Sequence, residues 1–498
     1  MTEAVDILFI NPGDRRQTYQ SLGDEFCGIE PPVFAGLYAT HARRRGLSVA
    51  IYDAPAMFAS AEEAARVATE EYDATLIVIV VFGLQPSAST QNMTSAGRIA
   101  RLIREARPSA RLLMVGTHPA ALPERTMREE AVDFVCDREG PVTIVRTAEA
   151  LRAGASDFSH VPSLWWRREG REGQIVPPTS VEPLIRDLDG EMPGIAWDLL
   201  PMDRYRAHNW HCFDHIGERT PYAAIHTSLG CPYHCKFCCI NAPFSKPSYR
   251  MWTPETVVAE IDHLVHTYGV RNIKFVDEMF VLNRRHVLGI CDLLRQRNHG
   301  LNIWAYARVD TVEDDVLESL KAAGVNWLCL GIESGSETVR DGAAKVYSNA
   351  DIIDVVRRIQ RVGIRVAANF IFGLPDDTMA RMEETLALAL DLNCEFANFY
   401  SAMAYPGSAL YDAAVAEGAI LPARWHDYSQ HGFECLPLAN RHCTSAEILA
   451  FRDRAWLTYF TSPRYLEMIE NTFGSAVVEH VRRMTAIPLP RKLTPAAA

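Results

Sequence analysis

The sequence predicts an α/β fold in two units: a doubly wound N-terminal domain over residues 1–155 and a partial (β/α)6 barrel over 221–435. A connector spans 156–220, and a small helical cap occupies 436–498. Three observations carry this reading. The chain has 498 residues, more than one domain at roughly 100–200 residues each. Short apolar runs alternate with helical periods, the pattern of parallel sheets with crossover helices. In the second half that alternation repeats about six times, too often for a small open sheet and short of a closed eight-unit barrel.

In the first unit the strands read DILFIN, SVAIYDA, TLIVIVVFG, RLLMVG and VDFVCD, with helical stretches at 31–45, 61–71, 95–107 and 142–153. Apolar residues fill these runs, as strands buried on both faces require. Such folds take ligands beyond the carboxyl ends of their strands, so NPGDRR, GLQPSAST, GTHPAALPE and DREGP form the expected binding rim. Each of these also reads as a tight turn. Residues 156–220 are rich in Pro, Trp and Arg, show little periodicity, and are expected to drape between the units.

From residue 221 the alternation resumes with AAIHTSLG, NIKFVD, NIWAYARVD, NWLCLGIES, VAANFIFG and EFANFYSA. Helices are predicted between them at 254–268, 284–298, 312–323, 351–362 and 378–392. Helical periods at 445–460 and 463–484 predict the cap, and the tail LPLPRKLTPAAA is expected to fray.

Hydrophobic residues at 48% and charged residues at 22% exclude a disordered or disulfide-dense scaffold. Asp and Glu number 62 against 50 Lys and Arg, a net charge of -12. Nucleic acid is therefore not expected as a partner, since phosphate recognition needs clustered positive charge, and a small-molecule substrate fits better. The N-terminus MTEAVDILFINPGD shows no secretory pattern, and the longest apolar run, ATLIVIVVFGL, is too short for a bilayer. A cytoplasmic chain without a membrane span is expected, and its twelve cysteines should be thiols or metal ligands.

Cysteine spacing singles out GCPYHCKFCCINA, directly after the first strand of the second unit, where Cys231, Cys235 and Cys238 form CxxxCxxC. Three thiolates on one loop can hold three irons of a 4Fe–4S cube and leave the fourth iron open to another ligand. A closed zinc site completed by His234 or Cys239 is the alternative, although no second CxxC pair follows at zinc-ribbon spacing. Buried thiols without metal are a third reading, weakened by Gly230 and Pro232, which mark a loop.

With Phe237 before its third cysteine, this loop resembles that of radical S-adenosylmethionine (radical SAM) enzymes, and the resemblance extends over residues 222–406. It implies that S-adenosylmethionine chelates the open iron and that reductive cleavage of the sulfonium yields methionine and a 5′-deoxyadenosyl radical. Matching strings stand at later strand ends, where active-site groups of βα barrels gather. In FVDEMF the resemblance implies that Glu278, next to Asp277, accepts hydrogen bonds from the S-adenosylmethionine amino group. YARVD offers Arg308 to the methionine carboxylate and GIESGS offers Glu333 to the ribose hydroxyls. FGLPDDT places Gly373 along the adenine. Each residue also reads as a helix cap or a partner in an internal salt bridge.

A doubly wound domain ahead of such a barrel resembles the cobalamin-dependent branch of that family, which implies a Rossmann-like cobalamin-binding domain with the corrin over its strand ends. IEPPVFAGLYATHARRRG, VGTHPAALPE and VDFVCDREGP carry the likeness, with Arg138 where the branch has glycine before Glu139. Expected corrin contacts are Gln85 and Ser87 in the loop 83–90, Gly116, Glu139 and Gly140, because small residues and backbone N–H groups admit a large planar ligand. NPGDRR lacks the histidine of a DxHxxG motif, and His118 suits a loop hydrogen bond, so no histidine ligand to cobalt is expected from either. A domain without cofactor is the rival reading.

Together these implications describe methylation of an unactivated carbon in a small molecule, using the cluster, S-adenosylmethionine and methylcobalamin, with a reductant such as flavodoxin or ferredoxin. Cyclisation, rearrangement or oxidation with the same cofactors is the enzymatic alternative, and a cobalamin or iron–sulfur sensor the non-enzymatic one. Cys239 reads as a small buried hydrophobe, and His431 as a cavity wall or a loop packing residue. No residue is assigned to proton transfer.

Overall fold

The computed structural model describes residues 2–168 and 173–494. In the first sheet, β1 (Glu3–Asn11), β2 (Val49–Asp53), β3 (Tyr72–Val81), β4 (Leu112–Gly116), β5 (Phe134–Cys136), β6 (Leu164–Arg167) and β7 (Ile175–Val176) lie in the order β2-β1-β3-β4-β5-β6-β7. The first five run parallel, with Phe9 level with Ile51 and Val78. Ile7, Leu8, Phe9 and Ile10 are all fully buried because helices cover both faces. Strand order reverses between β1 and β3, so the crevice there is the topological switch point where a doubly wound sheet takes its ligand.

Two features of this unit differ from expectation. β6 and β7 add to the sheet antiparallel, through Phe134 opposite Trp166 and Trp166 opposite Val176, so the segment read as connector begins as sheet. Leu164–Arg167 alternates buried and half-buried residues, a period-two signal only four residues long. The helix read from residue 95 begins at Ala88, because Ser89 turns inward, donating to Val81 O and accepting from His118 N. Polar residues hid that first turn.

The second unit starts with β8 (Tyr222–Ile225), followed by a hairpin of β9 (Ser228–Leu229) and β10 (Arg250–Met251). β11 (Asn272–Phe275), β12 (Asn302–Ala307), β13 (Val325–Glu333), β14 (Arg365–Phe372) and β15 (Phe396–Ser401) complete a six-stranded parallel sheet in the order β15-β14-β13-β12-β11-β8. Spatial order follows chain order, as successive βα units winding one way produce. The helix Asn349–Arg361 illustrates why the outer layer forms. It buries Ile352, Val355, Val356 and Ile359 on one stripe. A reciprocal cap between Ser348 and Asp351 starts it, an arrangement worth about 1 kcal/mol.

Six strands leave β8 and β15 as free edges, and the closed end of the barrel is plugged by other segments. Trp210, from the far part of the connector, stacks on Phe396 at 5.4 Å and meets Trp304 and Trp327 edge-on at 4.9 and 5.2 Å. Behind it pack the helices Pro463–Phe473 and Ser475–Thr485. The single helix read over 463–484 is thus two, broken at Gly474, whose φ of +87° no L-residue adopts easily. The tail does not fray at Arg491, which is buried, pairs with Asp453 at 2.9 Å and donates to Gly432 O at 2.9 Å. Residues 495–498 of that tail lie outside the described residues. No helix among the described residues is long and apolar enough to cross a membrane.

Candidate active site

Strand alternation sends every second side chain of the barrel inward, and the parallel register stacks them in layers. Lys274 is level with Trp304 near the plugged end, Tyr306 with Cys329 above, then Asn369 with Asn398, and Ile371 with Tyr400 nearest the carboxyl ends. These side chains line a cavity of about 470 Å³. The cysteine loop covers its mouth, bringing Cys231, Cys235, Cys238 and Phe237 to the same cavity as Glu278, Arg308 and Glu333.

Cys231 is buried, and Cys235 and Cys238 are half-buried. Their three sulfurs do not all lie within 4.8 Å of one another. Thiolates sharing one zinc ion at about 2.3 Å would stand about 3.8 Å apart, closer than this set is spaced. Among the described residues, the one group close enough for a single ion is His426, Asp427 and Glu434. Arg424 already neutralises it, 3.2 Å from Asp427 and 3.0 Å from Glu434.

Charges around the mouth are mostly paired. Arg308 grips Asp310 with two bonds of 2.9 and 3.0 Å, lies 3.8 Å over the Tyr233 ring and reaches Cys235 Sγ at 3.7 Å. Glu333 sits where the β13–β14 register shifts, with φ +68°, and this bulge brings its carboxylate to Lys345. Lys345 also donates to Gly331 O at 3.0 Å and lies 5.9 Å from the Phe237 ring. Asp277 is consumed structurally, accepting from Thr227 N at 2.6 Å and Ser228 Oγ at 2.5 Å. Glu278 has no ion-pair partner among the described residues. Burial pushes its carboxyl up to about 7, with Lys274 opposing and Asp277 adding to the shift. A cationic group placed beside it would restore the carboxylate.

Gly373 does not line this cavity. With φ +85°, it packs against the C-terminal helix Ser445–Phe460, where an added β-carbon would lie 2.6 Å from Ile448 Cδ1. Ile371, two positions earlier, faces the cavity instead.

A second cleft of about 140 Å³ opens at the switch point of the first sheet, beside Asn11, Gly13, Phe82 and Gly83. Tyr19, Glu30, Leu84, Ala88, Gln91 and His208 border both spaces, so the two are adjacent. Gln85 and Ser87 line the barrel cavity, and Gln85 Nε2 donates to the Tyr306 hydroxyl at 3.0 Å.

Gly116, Glu139 and Gly140, expected as corrin contacts, line neither space. A β-carbon on Gly116 would lie 2.1 Å from Val81 O, so this glycine serves the close approach of two strands. Glu139 pairs with Arg250 at 2.7 Å. Gly140, at φ +113°, donates its N–H to Glu182 at 2.9 Å, which fills the adjacent helix N-terminus with an internal acceptor. His118 also lines neither space. Its Nδ1 is 3.2 Å from Thr90 Oγ1 and its ring edge meets Trp425, while burial holds its pKa down at about 3.

Sequence reading missed Lys345, Tyr306, Tyr400, Asn369 and Asn398 as cavity residues. The last four had a signal, since they are polar residues at alternate positions of otherwise apolar strands.

A three-cysteine loop at the mouth of a parallel barrel, with a cavity that adjoins a cleft in a doubly wound sheet, points to an enzyme class that couples two cofactor-binding units. Residues 225–389 match the Radical SAM superfamily model and residues 22–148 the B12 binding domain model. An uncharacterised methyltransferase of Pyrococcus horikoshii is 30% identical over 384 residues, covering 76% of this chain and 79% of that protein. The anaerobic magnesium-protoporphyrin IX monomethyl ester cyclase of Cereibacter sphaeroides is 26% identical over 466 residues, covering 89% and 68%. The structure of the radical S-adenosylmethionine methyltransferase TsrM from Kitasatospora setae, with cobalamin and a 4Fe–4S cluster bound, shares the fold. Its TM-score is 0.64 at 16% identity, over 84% of this chain and 75% of that one. The chain belongs to the cobalamin-dependent radical S-adenosylmethionine family. Its cofactors are a 4Fe–4S cluster, S-adenosylmethionine and cobalamin.

Proposed function

We propose that the enzyme methylates an unactivated carbon of a small molecule. The observation that carries this reading is that the barrel cavity under the cysteine loop and the cleft at the switch point of the first sheet lie side by side, sharing Tyr19, Glu30, Leu84, Ala88, Gln91 and His208 as walls. When bound, the cluster with S-adenosylmethionine supplies a substrate carbon radical, and methylcobalamin supplies the methyl group.

Each side chain has a defined task in this reading. Cys231, Cys235 and Cys238 hold the cluster, and Phe237 packs beside it. Glu278, lacking a cation, takes the amino group of S-adenosylmethionine, which removes the penalty of its buried charge. Arg308 faces the carboxylate while Asp310 holds its guanidinium in plane. Glu333, oriented by Lys345, accepts from the ribose hydroxyls. Gln85 and Ser87 bound the corrin side. Trp210 and its partners exclude water from the plugged end of the barrel. His234 and Lys236 are exposed on either side of Cys235, so a reductant such as flavodoxin or ferredoxin reaches the cluster there.

Relatives named hopanoid C-2 methylase in Rhodopseudomonas palustris and tryptophan 2-C-methyltransferase in Streptomyces laurentii support methyl transfer. Cyclisation without methyl transfer is the second reading, favoured by the similarity to the Cereibacter cyclase. Anaerobic holoenzyme, a reductant and deuteromethyl-labelled S-adenosylmethionine, incubated with a metabolite extract, separate the two. Methylation places the label in a small molecule; 5′-deoxyadenosine with an unlabelled product supports cyclisation.

A further inference from the structure

We propose that Glu139 is a positioning residue for the cluster loop, acting through Arg250 and touching no cofactor. The inference rests on the cluster assignment above and adds a means by which the first unit sets where the cluster stands.

The segment 230–249 carries the three cysteines and is closed at its base by the β9–β10 hairpin, where Leu229 pairs with Arg250 and Ser228 with Met251. Two strands of two residues have too few backbone hydrogen bonds to hold themselves. The hairpin is instead gripped on both legs. On the β9 leg, Asp277 of the barrel binds Thr227 N and Thr227 Oγ1 at 2.6 Å each and Ser228 Oγ at 2.5 Å. On the β10 leg, Arg250 meets Glu139 of the first unit with two bonds, Nη2 to Oε1 at 2.7 Å and Nη1 to Oε2 at 3.1 Å. Arg250 Nη1 also donates to Ile185 O at 2.6 Å, and the guanidinium lies 5.4 Å from the Phe244 ring centroid.

The side chains of Arg250 and Glu139 are 11% and 2% exposed, so this fork closes away from water, where a bidentate pair fixes geometry well. Glu139 is itself immobilised. Its carbonyl accepts from the Tyr38 hydroxyl, and the next residue, Gly140, is tied to Glu182. Because Glu182 also takes Val142 N at 2.7 Å, the first N–H groups of the helix Pro141–Arg152 already have their acceptor, which leaves the Glu139 carboxylate for Arg250. The corner of the first sheet thereby holds the return strand of the cysteine loop, and misplacement of that loop by about 1 Å can cost 100-fold in rate.

The test compares full-length wild-type protein with Glu139→Gln, Arg250→Met and Arg250→Lys. Three measurements are made: hydrogen exchange of amides 228–251 in the cluster-free chain, iron, sulfide and cobalamin per chain, and the electron paramagnetic resonance (EPR) spectrum of the reduced holoenzyme with S-adenosylmethionine. Glu139→Gln and Arg250→Met should each speed exchange across 228–251 by about tenfold, lower iron content and broaden the cluster spectrum, with cobalamin content unchanged. Arg250→Lys, which keeps the charge and loses the fork, should fall between them and wild type and serves if the other variants do not fold. Loss of cobalamin with unchanged exchange in the hairpin would overturn the proposal by making Glu139 a corrin contact. Variants indistinguishable from an iron-loaded wild type would also overturn it, whereas a wild type without iron and sulfide would defeat the cluster assignment itself.

Discussion

Gln85 Nε2 donates to the Tyr306 hydroxyl at 3.0 Å, tying the β3 loop of the first sheet to the inner wall of the barrel. Because Gln85 lines the barrel cavity while Leu84 and Ala88 of the same loop border both spaces, this bond holds the loop 83–88 between them. Gln85→Ala should weaken cobalamin binding roughly fivefold, the loss of one hydrogen bond, with the cluster intact. Absorbance titration of the cobalamin-free protein with hydroxocobalamin checks this, and unchanged affinity would remove the loop from the corrin side.

Lys345 and Glu333 form a buried pair at the barrel mouth. Removing one partner leaves an uncompensated charge, so Lys345→Met should destabilise the fold by about 3 kcal/mol in chemical denaturation. The double variant Lys345→Met, Glu333→Gln should recover part of that loss while still binding S-adenosylmethionine poorly in equilibrium dialysis. If the double variant binds normally, the ribose assignment of Glu333 is wrong.

Asp377 gives the protein a pH dependence away from the cavity. Burial raises its carboxyl from 3.8 to about 7, opposed by the Gly373 N–H and Arg381. The folded state thus holds the proton more tightly than the unfolded chain. The contribution of this group to stability is full below about pH 4 and is lost as pH rises through 7. Asp377→Asn should flatten the stability profile across that window, by on the order of 4 kcal/mol at most. Denaturant midpoints from pH 4 to pH 8 provide the check, and parallel profiles for both proteins would reject it.

The barrel strands were legible in the sequence because short, mostly apolar runs recur between helical periods, interrupted by Lys274, Tyr306, Asn369 and Asn398 at inward positions. The cysteines were legible because their geometry is local to one loop. β6 escaped because four residues containing two tryptophans look the same in a loop and at a sheet edge. The reading of Gly140 and Glu139 as corrin contacts rested on a motif, and both have partners within the chain. A glycine at a helix start marks an anion site, but the motif cannot say whether the acceptor is a ligand or Glu182, which arrives from elsewhere in the chain. Lys345 reaches Glu333 only because a bulge turns that carboxylate inward, and no spacing rule announces a bulge.

Trp210 tests the plug. Truncation to Ala would remove ring contacts with Phe396, Trp304 and Trp327 and should cost about 3–5 kcal/mol. If water enters the barrel from that end, 5′-deoxyadenosine formation should also become less coupled to product. A variant as stable as wild type would mean that the C-terminal helices close the barrel alone.

The central claim is that Cys231, Cys235 and Cys238 hold a cube with one open iron. Mössbauer and EPR spectroscopy of anaerobic protein, before and after S-adenosylmethionine is added, test it most directly. The account predicts about four irons per chain, one of them distinct and shifting when S-adenosylmethionine binds, and loss of the cluster in any of the three Cys→Ala variants. A single tetrahedral ion, or a cluster whose spectrum ignores S-adenosylmethionine, would contradict it.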